Sequence, residues 1–275
     1  MPDRALPLAD CPDTLLAAIG GVLTDIDDTL TADGAIEPEA LAALARLREA
    51  GVPVIAITGR PMGWSRPFAQ PAPDGWPIDA IVAENGAVAL FCRDGVLHTE
   101  YAQDEATRAH NGRRLAEVAQ RVLREVPGAT LARDSAGRVT DIAIDHAEFT
   151  QLPAARIEQV VGLMRAEGMN ATVSSIHVNG WFGEHDKRSG ARWIVQRLFG
   201  RDVEAERDRW VYVGDSTNDQ LMFEHYPLSV GVANLMHFAD QLRVWPAWLT
   251  SAERGRGFAE LTDRLLRARE AGAAT

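Results

Sequence analysis

The ten residues VLTDIDDTLT, at positions 22–31, place Asp25, Asp27 and Asp28 directly after a short apolar run. The run predicts a buried β-strand, so the three carboxyl groups would stand together where that strand ends. Like charges this close make one another harder to ionise, unless a divalent cation or a basic side chain offsets the repulsion. Two interpretations are open from this stretch alone: a cation-binding or catalytic cluster, and a solvated acidic turn in which one aspartate caps the next helix.

The overall composition restricts the kinds of partner. The chain has 275 residues, 46% of them hydrophobic, and 39 acidic against 28 basic residues give a formal net charge of -11. This charge argues against sequence-independent binding of nucleic acid and against attraction to an anionic membrane surface. The two cysteines have no metal-binding or redox spacing, and we find no secretion signal and no apolar run near the roughly 20 residues of a membrane helix. We therefore expect a soluble, cytoplasmic protein. Its oligomeric state does not follow from the sequence.

Strand and helix signals alternate at both ends of the chain. The residues EPEALAALARLREAG (37–51) have the apolar spacing of a helix. The runs VPVIAITG (52–59) and IDAIVAENG (78–86) are typical of buried strands. The same alternation returns after Asp186, which predicts an α/β fold with a doubly wound, mainly parallel, Rossmann-like core sheet.

The middle of the chain has a different pattern. Turn signals at Asp94-Gly95 and at 135–137, each flanked by short strand-like runs, predict two hairpins with helical stretches among them. Hairpins mixed with helices are typical of an α+β unit. We therefore predict an inserted α+β cap domain and a catalytic core in two segments, with the boundaries 86–183 for the cap and 1–85 and 184–275 for the core.

Three more polar segments follow predicted strands or begin a predicted helix. The residues TGR (58–60) end one strand, HDKRSG (185–190) places Lys187 at a helix start, and VYVGDSTND (211–219) ends another strand with acidic residues. Ligands bind at the carboxyl ends of parallel strands, where a hydroxyl, backbone N–H groups or an ammonium favour a phosphate. Each segment alone has a simpler interpretation, as a turn, a surface lysine or a helix cap.

Together these segments resemble a known family. DIDDT, TGR, a lysine ahead of a helix and GDSTND occur in the order and approximate spacing of the four motifs of the haloacid dehalogenase superfamily of phosphohydrolases. The residues AENGA (83–87) and VGVAN (230–234) are similar to its branch with a large cap between motifs two and three, the Cof-like and sugar-phosphate phosphatases. The resemblance implies a phosphatase that acts through a covalent aspartyl-phosphate.

The resemblance gives a role to each motif position. Asp25 is the implied nucleophile, and Asp27 is the implied group that protonates the leaving oxygen and then activates water. Thr58, Gly59 and Lys187 are the implied phosphate-binding groups.

The resemblance also implies a Mg2+ cofactor. Its ligands would be a carboxylate oxygen of Asp25, the backbone carbonyl of Asp27 and the carboxylate of Asp215, with Asp219 close by or acting through water. Magnesium prefers such oxygen ligands, and the ion together with Lys187 would stabilise the crowded carboxylates.

Substrate choice is expected from the cap and from the segment that enters motif three, because the four motifs contact only phosphate and metal. That segment, SSIHVNGWFGEHDK (174–187), has polar and aromatic side chains that suit a sugar, although a strand end with core aromatics is an equal interpretation for any one of them. We expect these residues to contact the substrate: Arg60, Asn85, Trp181, Glu184 and Asn218.

The implied function is a magnesium-dependent phosphatase that acts on a small phosphorylated metabolite, with a sugar phosphate as the leading class. A phosphomutase of the same superfamily would instead return the phosphoryl group to its substrate. A receiver-type signalling domain has a similar acidic cluster, but it is too compact to hold the long segment between Thr58 and Lys187. A non-catalytic relative would use the same fold to bind a partner.

Overall fold

A nine-stranded sheet forms the centre of the protein, in a computed structural model that describes residues 5–273. The strands are β1 (Leu6–Pro7), β2 (Gly21–Thr24), β3 (Thr31–Ala32), β4 (Ala35–Ile36), β5 (Val54–Ile57), β6 (Ala80–Ala83), β7 (Val88–Arg93), β8 (Val96–Tyr101), β9 (Thr130–Leu131), β10 (Asp141–Asp145), β11 (Asn170–Val173), β12 (His177–Trp181), β13 (Trp210–Gly214), β14 (Leu228–Gly231) and β15 (Trp248–Leu249). The helices are α1 (Asp13–Ala17), α2 (Pro38–Glu49), α3 (Met62–Ser65), α4 (Glu105–Glu125), α5 (Ala154–Ala166), α6 (Lys187–Phe199), α7 (Gln220–His225) and α8 (Arg254–Ala273). None of the described helices is long and apolar enough to cross a membrane.

The central sheet has the strand order β1-β15-β14-β13-β2-β5-β6-β7-β8. Neighbouring strands from β1 to β6 in that order are parallel, and β7 and β8 add an antiparallel hairpin at one edge. The strands that follow β2 in sequence lie on one side of it and the strands from the end of the chain lie on the other. The predicted doubly wound, mainly parallel core sheet is thus confirmed, and β2 marks the point where the strand order reverses.

Helices cover both faces of this sheet. Val22 of β2 packs in an apolar core with α1, α2 and α8, whereas its neighbour Leu23 packs in a second core with α6 and α7. All residues of β2 and of β5 are buried. Burial on both faces is why these strands have continuous apolar sequences instead of an alternating pattern.

The start of α6 is fixed by its cap and by a close approach to a turn. The carboxylate of Asp186 accepts a hydrogen bond from the backbone N–H of Ser189 at 2.6 Å, and the Ser189 hydroxyl accepts one from the N–H of Asp186 at 2.9 Å. A Cβ atom added to Gly190 would lie 2.8 Å from the Cα of Gly86. These contacts hold Lys187, the first residue of the helix, at the edge of the sheet.

A second, four-stranded antiparallel sheet lies between the two halves of the core in sequence, with the order β11-β12-β10-β9. Helices α4 and α5 pack against it around apolar residues such as Leu115, Val160 and Val178. We call this sheet with α4 and α5 the inserted unit. Its mixture of hairpins and helices confirms the predicted α+β insertion.

The hairpin at Asp94-Gly95 lies in a different place from the one predicted. Strand β7 pairs with β6 and β8 pairs with β7, so the hairpin extends the central sheet, whereas the predicted boundary at 86 assigned it to the cap. Leu90 joins one core of the central sheet and Phe91 joins the other. Because burial on the central sheet decides where these residues belong, we propose that the inserted unit begins after β8. The boundary at 183 stays a prediction.

We predict that Gly190→Ala destabilises the protein, because the new methyl group would overlap the backbone of Gly86 and displace the start of α6. The free energy of unfolding, measured by urea denaturation, is expected to fall by about 1–3 kcal/mol. The matched control is Gly162→Ala in α5, where an added Cβ meets nothing within 4 Å. There we expect the free energy of unfolding to rise by about 0.5–1 kcal/mol. Equal effects of the two substitutions would contradict the close packing of α6 on the turn.

Candidate active site

Three of the predicted site residues follow the carboxyl ends of neighbouring strands. Asp25 follows β2, Thr58 follows β5 and Asp215 follows β13, and β2 lies between the other two strands. Lys187 reaches the same point from the first residue of α6. All four side chains are buried. The topology thus brings segments from both ends of the chain to the edge where α/β proteins bind their ligands.

The ammonium of Lys187 joins two carboxylates. Its Nζ lies 2.7 Å from Oδ1 of Asp25 and 2.7 Å from Oδ1 of Asp219. Burial favours the neutral amine, but Asp219 and Asp25 outweigh burial and raise the pKa of Lys187. The lysine is therefore charged and offsets part of the repulsion in the cluster.

Protein donors occupy both carboxylate oxygens of Asp219. Its Oδ1 accepts a hydrogen bond from the hydroxyl of Tyr212 at 2.5 Å, in addition to the bond from Lys187. Its Oδ2 accepts from the backbone N–H groups of Asp215 and Ser216 at 2.9 and 3.1 Å. These bonds indicate that Asp219 fixes the loop after β13 and orients the lysine. Its contact with a metal stays a prediction.

Asp215 is a buried carboxyl group without a partner among the described residues. The residue is fully buried, and neither carboxylate oxygen has a hydrogen-bond partner among residues 5–273. Burial raises the pKa of Asp215 well above its ordinary value, and Asp219 and Asp25 raise it further. A buried polar group is normally paired, because leaving it unpaired is costly. An unpaired buried carboxyl group of this kind is typical of a cation-binding site.

The aspartates are also close enough to share an ion. One oxygen each from Asp25, Asp215 and Asp219 lie within 4.8 Å of one another. Burial raises the pKa of Asp25 to about 8, although Lys187 opposes this shift. Hard divalent cations take carboxylate and carbonyl oxygens as ligands, so the residues present fit such an ion.

Asp27 and Arg60 form a separate ion pair. The Nε of Arg60 donates to Oδ1 and Oδ2 of Asp27 at 2.9 and 3.0 Å. The other guanidinium nitrogens donate to Asp134 and Glu148 of the inserted unit at 3.3 and 2.8 Å. Arg60 is one of the substrate contacts predicted from the sequence, whereas in the structure three carboxylates share its donors.

The loop at Thr58 and Gly59 lies under side chains of the inserted unit. The carbonyl of Gly59 accepts hydrogen bonds from Arg138 at 2.9 Å and from Asn179 at 3.2 Å. The hydroxyl of Thr58 accepts from the backbone N–H of Arg60 at 3.0 Å, which leaves its own hydrogen for a ligand. The loop is thus held in place with its predicted phosphate-binding donors at the end of β5.

A cleft of about 530 Å³ brings together most of the predicted substrate residues. Besides Lys187, the residues that line this cleft include Asn85, Trp181, Glu184 and Asn218. Asp27 and Arg60 line a second cavity of about 340 Å³. Four of the five predicted substrate residues therefore share one cleft, and Arg60 lies outside it.

Two further residues of this cleft have polar atoms without described partners. His185 stacks on Trp181 with ring centroids 5.7 Å apart, and neither of its ring nitrogens has a partner in the described part of the chain. Burial lowers the pKa of His185 to about 4, so the imidazole is neutral at pH 7. The hydroxyl of Thr172 is likewise unpaired among the described residues. A neutral imidazole and a hydroxyl can each donate and accept, which suits a polar ligand.

Comparison with known proteins gives a consistent result. The family of haloacid dehalogenase-like hydrolases matches residues 22–111. A phosphoglycolate phosphatase of Methanopyrus kandleri is 27% identical over 252 residues, which cover 89% of this chain and 96% of that protein. Among solved structures, a HAD/Cof-like hydrolase from Plasmodium vivax has a TM-score of 0.66 at 17% identity, covering 93% of this chain and 99% of the other. The sucrose-phosphatase of Synechocystis in complex with sucrose and phosphate has a TM-score of 0.62 at 18% identity, covering 89% and 97%.

The family match spans the acidic motif and the loop at Thr58, and the fold agrees over nearly the whole chain. The match confirms, over residues 22–111, the resemblance to the haloacid dehalogenase superfamily that the motifs predict. The Cof-like hydrolase shares its fold with this chain over nearly the whole length, which agrees with the predicted resemblance to the capped, Cof-like branch.

We predict that Lys187→Met strongly destabilises this hydrolase when divalent cations are removed by chelator. Asp25 and Asp219 would then keep buried charges without their ammonium partner. The free energy of unfolding at pH 8 is expected to fall by about 3–5 kcal/mol. The loss is expected to be smaller at pH 5, because the folded variant binds protons on these carboxyls at a higher pH than the unfolded chain does.

The matched control is Arg188→Met, which changes the exposed position next to the lysine. We expect it to alter the free energy of unfolding by less than about 0.5 kcal/mol. If Lys187→Met costs no more than this control, the ammonium does not stabilise the cluster.

Proposed function

We propose that this hydrolase is a magnesium-dependent phosphatase that hydrolyses a small phosphorylated metabolite through an aspartyl-phosphate on Asp25. The observation that carries the proposal is the buried cluster at the strand ends. It combines a carboxylate held 2.7 Å from the Lys187 ammonium with the carboxylate of Asp215, which has no hydrogen-bond partner within residues 5–273. A phosphoryl group is negatively charged, so positive groups must offset its charge before a carboxylate can attack it.

Magnesium fits the donor set of this site. A carboxylate oxygen of Asp25, the backbone carbonyl of Asp27 and the carboxylate of Asp215 would hold it, with Asp219 behind them through Lys187. When bound, the ion supplies positive charge that offsets the crowded aspartates and the phosphoryl oxygens.

In the first step, a carboxylate oxygen of Asp25 attacks phosphorus, and the bond from phosphorus to the leaving oxygen breaks. Asp27 gives its proton to that oxygen, which departs as an alcohol. The hydroxyl of Thr58, the N–H of Gly59 and the ammonium of Lys187 hold the phosphoryl oxygens during the transfer.

In the second step, Asp27 takes a proton from a water molecule as that water attacks phosphorus. The bond between phosphorus and the carboxylate oxygen of Asp25 breaks, so phosphate is released and both aspartates return to their starting states. One difficult displacement is thereby divided into two easier ones.

The two aspartates need opposite protonation states at the start. Burial raises the pKa of Asp27, and the ion pair with Arg60 opposes but does not cancel this shift. Asp25 has Lys187 beside it, which favours the ionised form, as would the cation. Different neighbours thus suit two nearby carboxyl groups to the roles of acid and nucleophile.

The cleft beside Lys187 is the proposed place of the leaving group, with a sugar phosphate as the leading class. Asn85, Glu184 and Asn218 supply polar groups and Trp181 supplies an aromatic face. The unpaired atoms of His185 and Thr172 add donors and acceptors for hydroxyl groups. The relatives named phosphoglycolate phosphatase make a small phosphorylated acid the second class to test.

The test is phosphate release from a panel of sugar phosphates, phosphoglycolate and 4-nitrophenyl phosphate, with magnesium and with chelator. We predict magnesium-dependent release by the wild type and a loss of at least about 1,000-fold in kcat for Asp25→Asn, because the amide cannot act as the nucleophile. The matched control is Asp28→Asn. Asp28 lies in the same loop as Asp25 but pairs with Arg254 at the start of α8. It is expected to keep activity within about fivefold. Isomerised product in place of free phosphate would indicate a mutase instead.

The metal site is tested by thermal unfolding, independently of activity. In chelator at pH 8 we predict a higher Tm for Asp215→Asn than for the wild type, because the substitution removes a buried carboxyl group whose raised pKa costs stability at this pH. Added Mg2+ is expected to raise the Tm of the wild type and to leave that of Asp215→Asn nearly unchanged. Asp74→Asn, at an exposed position, serves as the control that responds like the wild type. Equal shifts in all three proteins would rule out this magnesium site.

A further inference from the structure

Arg60 joins the core to the inserted unit beside Asp27. The guanidinium is 4% exposed and contacts three carboxylates. Its Nε lies 2.9 Å from Oδ1 of Asp27, and its terminal nitrogens lie 2.8 Å from Oε1 of Glu148 and 3.3 Å from Oδ2 of Asp134. Asp27 belongs to the core, whereas Asp134 and Glu148 belong to the inserted unit. One buried side chain thus ties the two parts together at the acid group.

Glu148 is itself held in a fixed orientation. Its loop is closed by Asp145, whose carboxylate accepts from the backbone N–H groups of Glu148 and Phe149 at 2.9 and 3.0 Å. Its Oε2 accepts a hydrogen bond from Nε2 of His177 at 2.9 Å, so both carboxylate oxygens are occupied. Burial raises the pKa of Glu148, but the bonds from His177 and Arg60 outweigh burial and lower the pKa to about 2. The carboxylate is therefore ionised at neutral pH.

Other contacts between the core and the inserted unit do not involve Glu148. The Oε2 of Glu84 accepts hydrogen bonds from the backbone N–H and the hydroxyl of Thr140, each at 2.6 Å. The carbonyl of Gly59 binds Arg138 and Asn179. Removal of the Glu148 carboxylate would therefore leave the inserted unit attached, while Arg60 would lose its 2.8 Å partner and His177 its carboxylate acceptor.

We propose that Glu148 is a positioning residue for Asp27: it holds Arg60, and Arg60 holds the Asp27 carboxyl, only while the inserted unit lies on the core. The proposal rests on the proposed function, in which Asp27 is the acid and base. His177 acts one step further away by fixing Glu148. A series of contacts thus connects the acid to the inserted unit, from Asp27 through Arg60 and Glu148 to His177. The placement of the acid therefore depends on the unit that lines the substrate cleft.

The physical basis is the geometry of proton transfer. An arginine that contacts both oxygens of a carboxylate fixes its plane, whereas a carboxylate without such a partner rotates freely. Proton donation requires the acid to lie within hydrogen-bond reach of the leaving oxygen. A poor leaving group depends on that proton, whereas an aryl group with an electron-withdrawing substituent departs without it. A misplaced Asp27 therefore slows departure of the two leaving groups unequally, whereas it slows hydrolysis of the shared aspartyl-phosphate equally for both substrates.

The test compares Glu148→Ala and His177→Gln with the wild type on an alkyl phosphate and on 4-nitrophenyl phosphate. We predict that Glu148→Ala lowers kcat/KM, which reports the steps up to departure of the leaving group, about 10- to 100-fold on the alkyl phosphate and less than about threefold on the aryl phosphate. His177→Gln is expected to show the same inequality with a smaller loss. Glu148→Gln keeps an acceptor oxygen for Arg60 and is expected to recover part of the activity.

The matched control is Glu158→Ala, which removes an exposed carboxylate from α5 of the same unit. It is expected to match the wild type on both substrates. Hydrogen exchange gives a readout that needs no turnover: Glu148→Ala is expected to speed exchange of the amides at 145–149 and 59–62 relative to this control. Unchanged exchange there would overturn the proposal.

The two proposals fail in different ways. Equal losses of kcat/KM on the two substrates, or none, would overturn the positioning role of Glu148 while the phosphatase stands. A folded wild type that releases phosphate from neither substrate would overturn the proposed function, and with it the role of Asp27.

Discussion

The salt bridges from Lys187 to Asp25 and Asp219 are the interaction on which the rest of the structure depends. Without the ammonium, the buried carboxylates of Asp25, Asp215 and Asp219 would lie together at the ends of β2 and β13 with no salt bridge to Lys187. Its place requires the start of α6 to pack against the turn at Gly86, where only glycine fits at position 190. It also requires Tyr212 and two backbone N–H groups to orient Asp219. One electrostatic requirement therefore constrains segments from both ends of the chain.

Much of the fold follows from the sequence, because strands buried on both faces must be apolar throughout. The runs at 52–59 and 78–86 contain β5 and β6, and the helix pattern at 37–51 contains α2. The hairpin at Asp94-Gly95 could also be predicted, but its partner could not. Whether β7 joins the central sheet depends on pairing with β6 and on packing against distant residues, and neither leaves a local pattern.

Some residues of the site can be predicted from the sequence and others cannot. Aspartates at strand ends and a lysine at a helix start are visible because position and residue type coincide in the sequence. Tyr212 is not visible, because an aromatic residue inside a buried strand has the pattern of a core side chain. The environment of Arg60 is also hidden, since Asp134 and Glu148 lie more than 70 positions away and meet it only through the packing of the inserted unit. The charge of a residue can be read from the sequence, whereas the partner of that charge is decided by the tertiary structure.

The nucleophile and the acid depend on different parts of the molecule. The carboxylate of Asp25 is held by Lys187 of the core, whereas Asp27 is linked through Arg60 to Glu148 of the inserted unit. In the proposed mechanism, a residue of the core positions the nucleophile, whereas the inserted unit helps to position the acid. A phosphorylated molecule that holds the inserted unit away from the core would meet a competent nucleophile and a misplaced acid. Discrimination then arises in protonation of the leaving group, where binding energy acts on the rate and not only on affinity.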